Sequence, residues 1–286
     1  MSLPQTLLLG LIAGGTILLG LPLGRLRAPA PGLRVLLNAA AIGVLLFLLW
    51  DVLAQAWQPI DEGLAALHTG GGSAAGVAGY GLLFAGGLAA GLLGLVAYET
   101  WMKRRMAAAA RPYGPGAMAA TEVRARQGVA AWSPARQLAL LIAVGIGLHN
   151  FAEGLAIGQS AASGEIALAT VLVIGFGLHT ATEGFGIVAP LAAEAETQRP
   201  SWGLLGLLGL IGGGPTFVGA ALGHGFSSEP LSVAFLTLAA GSILYVVVQL
   251  VGVASKAKRS DLLAAGMLIG LLAGFATDAI VTAAGV

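Results

Sequence analysis

Residues 202–223 read Trp-Gly-Leu-Leu-Gly-Leu-Leu-Gly-Leu-Ile-Gly-Gly-Gly-Pro-Thr-Phe-Val-Gly-Ala-Ala-Leu-Gly, with no charged side chain among them. A hydrocarbon layer ~30 Å thick is crossed by about 20 apolar helical residues, so this run reads as a membrane span. Working outward from it, comparable runs lie at 4–24, 35–56, 76–100, 137–159, 166–190, 231–254 and 262–284. The expected fold is an all-α integral membrane protein with eight transmembrane helices, a single domain over 1–286. Composition agrees: 57% of residues are apolar and only 9% charged, against ~25% charged in soluble domains. Lipid is the solvent for most of this chain, and nothing in it suggests a nucleic-acid partner.

The 14 Lys and Arg fall in four connections. Arg25, Arg27 and Arg34 follow the first span, and Lys103 through Arg136 lie between the third and fourth. Arg199 separates spans five and six, and Lys256, Lys258 and Arg259 separate seven and eight. The alternate connections carry only acids: Asp61, Glu62, Glu165 and Glu229. Basic residues stay on the cytoplasmic side, which puts both termini outside and makes residues 103–136, rich in Ala, Arg and Pro, a cytoplasmic linker. The first span lacks a preceding basic region, so it reads as a true span and not a cleaved leader. The chain has no cysteine, which removes disulfides, thiolate ligands and cysteine nucleophiles.

The stretch that opened this reading recurs. Leu208-Gly-Leu-Ile-Gly-Gly-Gly214 of span six matches Leu9-Gly-Leu-Ile-Ala-Gly-Gly15 of span one. Spans two and seven align on Gly43 and Gly241, setting Phe47 against Tyr245 and Asp51 against Gln249. Spans three and eight align on Gly87 and Gly266, setting Gly91 against Gly270 and Glu99 against Asp278. The aligned spans cross in opposite directions, so the chain reads as a 3+2+3 arrangement with an inverted repeat of spans 1–3 in spans 6–8. Inverted repeats are a transporter signature, with the substrate held near the midplane.

The central pair of spans carries the chemistry. Gly145-Ile-Gly-Leu-His149-Asn150-Phe-Ala-Glu153-Gly154 is followed 30 positions later by Gly175-Phe-Gly-Leu-His179-Thr180-Ala-Thr-Glu183-Gly184. His and Glu four apart share a helix face, and the short connection makes the two helices antiparallel neighbours. A carboxylate at mid-membrane costs about 2.5–3.5 kcal/mol on insertion scales, and no Lys or Arg lies in a span interior to offset two of them. A divalent cation can: two neutral imidazoles and two carboxylates balance its charge and supply donors that suit zinc. Iron(II), manganese, cadmium and cobalt fit the same donors. The bland alternative, a His–Glu hydrogen bond that serves packing alone, does not explain the duplication.

The chain resembles the ZIP family of divalent metal transporters, in its prokaryotic type. His149-Asn150-x-x-Glu153-Gly154 matches the family's fourth-span motif and His179-x-x-x-Glu183-Gly184 its fifth, and eight spans with a long third connection extend the likeness over the whole chain. The resemblance implies a cell membrane location (the prokaryotic inner membrane), metal movement toward the cytoplasm, and transport ligands at His149, Glu153, His179 and Glu183. Ala152 and Thr182 stand where the family usually has Pro. Thr180 and Thr216 stand where many members place anionic ligands of a second metal, so one ion is expected, not two.

Other intramembrane polar groups sit nearer the surfaces. Asp51 and Asp278 are expected at an outer mouth as a cation-attracting pair, with Glu99 and Gln249 as an exit relay at the inner mouth; the alternative is interfacial packing. His68 and His224 read as ordinary outer-side histidines, and Gly212-Gly-Gly-Pro215 as a helix break or kink. A second class of function, a membrane-embedded metalloenzyme using the same ligands, needs an extra acid, base or nucleophile beside the metal. A purely structural subunit is argued against by the duplicated His/Glu pair. A homodimer is left open by the sequence.

Overall fold

Helices run past their apolar runs wherever no residue stops them. The second begins at Pro31, crosses Pro59, and ends only where Gly70 adopts a left-handed φ of 81°. There Gly71 N–H donates to the Ala66 carbonyl and Gly70 N–H to that of Leu67, the paired bonds of a Schellman cap. Its 38 residues extend about 57 Å, well beyond the hydrocarbon layer.

The computed structural model describes residues 1–25, 31–109, 129, 132–162, 166–193, 199–225 and 228–283. We number the helices α1 (Leu3–Arg25), α2 (Pro31–His68), α3 (Ala74–Ala109), α4 (Pro134–Ala162), α5 (Ile166–Val188), α6 (Trp202–Gly225), α7 (Glu229–Ser255) and α8 (Ser260–Ala283). In α1 the Thr16 hydroxyl bonds back to the Ala13 carbonyl at 2.7 Å, and the helix closes in a 3₁₀ turn at Leu21–Arg25. Among the described residues, seven helices are long and apolar enough to cross a membrane, and α5 adds a further helix of 23 residues. The protein is a multi-pass helical membrane protein. Arg27, Glu165 and most of the 103–136 linker lie outside the described residues.

Aromatic side chains mark the helix ends. Arg25 covers the Trp202 ring and Arg105 the Trp101 ring, each 4.5 Å from the centroid, with Tyr98 stacked on Trp101. Amphipathic rings beside basic residues are what a membrane–water interface selects.

Glycines set how closely the helices approach, and their partners repeat. Gly43 of α2 abuts Met267, Gly270 and Leu271 of α8, while its aligned mate Gly241 of α7 abuts Leu88, Gly91 and Leu92 of α3. Those two trios are themselves aligned in the sequence repeat. The central pair follows the same rule: Gly154 of α4 lies against Thr216 and Ala220 of α6, and Gly184 of α5 against Ile17 and Gly20 of α1, where Ile17 aligns with Thr216. Each contact leaves no room for a Cβ, which is how small residues let membrane helices pack without a hydrophobic driving force. Between these layers α4 is largely buried, whereas α3 and α8 are mostly exposed. The helix that carries His149 and Glu153 is thus the most buried of the seven compared.

Candidate metal site

The site forms where α4 and α5 face each other. His149 and Glu153 are both buried on α4, one turn apart, with Nε2 and Oε1 2.9 Å apart. Glu183 on α5 is buried, and His179 is nearly so. Across the helices, His179 Nε2 lies 2.5 Å from Glu153 Oε1, and His149 Nε2 lies 3.7 Å from Glu183 Oε1. The two imidazole centroids are 6.3 Å apart. One ligand atom each from His149, His179 and Glu183 lies within 4.8 Å of the other two, and Glu153 bridges both imidazoles. This His/Glu cluster could bind a metal. Donors ~2 Å from a tetrahedral zinc stand about 3.3 Å from one another, so closing such a shell requires shifts of side chains, not of helices.

The cluster is also where hydrogen-bonding fails. Among the described residues, the buried side-chain atoms without a hydrogen-bond partner are, apart from Asn38 Oδ1, all on His149, Asn150, Glu153, Glu183 and Thr216. Buried polar atoms are normally satisfied, and each exception calls for a cause. Nδ1 of His149 and both oxygens of Glu183 are among them, and His149 Nε2 meets Glu153 Oε1 at 2.9 Å without hydrogen-bond geometry. A cation placed among the carboxylate oxygens and imidazole nitrogens would engage the lone pairs left over.

Asn150 is fixed by donating from Nδ2 to the Gly212 carbonyl of α6 at 3.0 Å, leaving its Oδ1 free. Thr180 and Thr216 are buried as neutral hydroxyls. The Gly212–Pro215 stretch does not interrupt α6, which stays helical from Trp202 to Gly225. Pro215 instead withdraws the donor that Ile211 would otherwise receive, and the Ile211 carbonyl lies against Gly147 of α4.

The outlying polar residues form two dissimilar ends. Asp51 accepts from Gln55 Nε2 at 2.8 Å. At the other end Glu99 accepts from Gln249 Nε2 and from the Tyr245 hydroxyl, each at 3.0 Å, and pairs with Lys103. His224 Nδ1 lies 3.0 Å from the Thr6 hydroxyl of α1, so it joins two helices, while His68 is exposed.

Sequence reasoning did not single out three buried polar groups. Ser242 of α7 donates to the Gly145 carbonyl of α4 at 2.9 Å, Asn38 of α2 donates to the Leu250 carbonyl at 3.3 Å, and Tyr245 donates to Glu99. Ser242 and Asn38 each interrupt an otherwise apolar run, and that was the available signal. Comparison with known proteins adds no family assignment: no family model matches this chain, and no curated protein matches it.

Proposed function

We propose that this protein carries a divalent transition-metal ion across the membrane through one site made by His149, Glu153, His179 and Glu183. Zinc is the foremost cargo and iron(II), manganese, cadmium and cobalt are its competitors. The reading takes the chain as eight spans in a 3+2+3 inverted repeat with both termini outside. It also takes the motif likeness to the ZIP family as a guide to direction, toward the cytoplasm of a prokaryotic cell.

The observation that supports it best is the set of unpartnered donor atoms on two antiparallel central helices with no basic side chain to balance them. A cation resolves both the charge and the missing hydrogen bonds, and an ion shared between the halves of a repeat is positioned for alternating access. Reconstitution into sealed vesicles tests this directly. Zinc should accumulate inside without chemical turnover, and competition by the other four metals should rank the cargo. Saturable hydrolysis or oxidation without metal flux would replace transport with catalysis.

A further inference from the structure

The two halves of the molecule match in their glycine contacts but not in their polar ones. Ser242 is fully buried on α7, and its hydroxyl is shared between the Ala239 carbonyl of its own helix and the Gly145 carbonyl of α4. Gly145 stands one turn before His149. The alignment that pairs Gly43 with Gly241 gives Ser242 the mate Val44 on α2, which has no hydroxyl to offer α5.

Packing follows the same asymmetry. α4 is packed extensively on α7, whereas the mirror interface of α5 with α2 is looser. A cavity of about 300 Å³ opens where α2 and α5 meet α1 and α8, with Val44 and Phe185 in its lining beside Leu19 and Ile269.

In an inverted repeat, exchanging the packing of the two halves yields the opposite-facing state. Were the halves identical, both states would be equally populated. We propose that Ser242 breaks this degeneracy: its bond to Gly145 holds α4 on α7, and so makes the state seen here, with α2 and α5 the less closely packed pair, the resting one. This rests on the transporter reading given above. Ser242 is a positioning residue and touches no ion. Losing one such bond shifts a two-state equilibrium about fivefold.

The absence of cysteine allows spin labels at Ile174→Cys of α5 and Val248→Cys of α7, both exposed, with distances read by pulsed electron resonance in lipid nanodiscs. The parent protein should show one dominant distance. Ser242→Val, which copies the mate, and Ser242→Ala, which adds no volume, should both raise a second population about fivefold. Ser242→Thr, which keeps the hydroxyl, should restore the parent distribution. Parent-like distributions in the Val and Ala variants would overturn the proposal, as would a Thr variant that behaves like Ala. Zinc titration of the same samples reads the metal site separately. If the parent binds no zinc, the transporter reading fails while the distance result still decides the role of Ser242.

Discussion

Gly14 and Gly213, aligned residues of the two repeats, pack directly on each other: a Cβ on either would collide with the other's carbonyl oxygen. Two matched residues can meet in this way only close to the axis that relates the halves. The neighbouring contacts obey the same relation, since Gly10 lies against Ala220, Phe217 and Thr216, while its mate Gly209 lies against Leu21, Leu18 and Ile17. The His/Glu cluster is built in the same paired way, with one His and one Glu from each central helix.

The pseudo-symmetry makes a stability test possible. Gly91 of α3 and its mate Gly270 of α8 both abut partner backbone, at Leu238 and Ser242 and at Ala40 and Val44, whereas Gly94 has open space. Gly91→Leu and Gly270→Leu should each destabilise, by at least the ~1–3 kcal/mol of an overpacked core. Gly94→Leu should leave thermal unfolding in detergent almost unchanged. Equal melting of all three variants would contradict the packing described here.

Acid should weaken metal binding. The 2.5 Å approach of His179 Nε2 to Glu153 Oε1 requires a proton between them, and a metal that takes both as ligands must displace it. Apparent zinc affinity should therefore rise with pH across the acidic range, with protons released on binding. Isothermal titration in buffers of different ionisation enthalpy counts them; an affinity flat from acidic to neutral pH would remove the Glu153–His179 pair from the site.

One ion should bind, not two. Thr180 and Thr216 are buried neutral hydroxyls, and the resemblance to the ZIP family implies that a second cation would need anionic ligands there. Metal analysis of saturated protein should give a single tight equivalent per chain, and an anomalous map showing two ions at mid-membrane would refute this.

Asp51 should matter at low metal and little at high. Its carboxylate is hydrogen-bonded to Gln55 and to none of the cluster residues, so it can act on cations only through its charge. Asp51→Asn should raise the half-saturating zinc concentration several-fold while sparing maximal flux, measured by uptake at graded zinc. A loss of maximal flux with unchanged half-saturation would assign Asp51 another role.

Much of this was legible in the sequence, because membrane helices announce themselves by length and apolarity and because ligands at i and i+4 need only helix periodicity to share a face. Gly154 and Gly184 stand directly after each Glu, and each proves to be a point of close helix approach. The ends of α2 and α3 were not legible, since hydropathy tracks the bilayer and not the helix, and α2 continues in water until Gly70. Nor was the Ser242–Gly145 bond, because a lone serine in an apolar helix normally bonds back to its own turn, and only the approach of α4 supplies the second acceptor. The fate of Glu99 depended likewise on the Tyr245 hydroxyl, which sequence alignment had set against the inert ring of Phe47.

The central claim is that one ion is shared by α4 and α5, and zinc uptake by sealed proteoliposomes at matched protein content tests it most directly. Glu153→Ala and Glu183→Ala should each remove most of the flux, roughly tenfold or more, and the double variant should be little worse than either, because residues acting on one ion as a unit are not additive. Near-parental uptake by Glu183→Ala would take α5 out of the site and contradict the account.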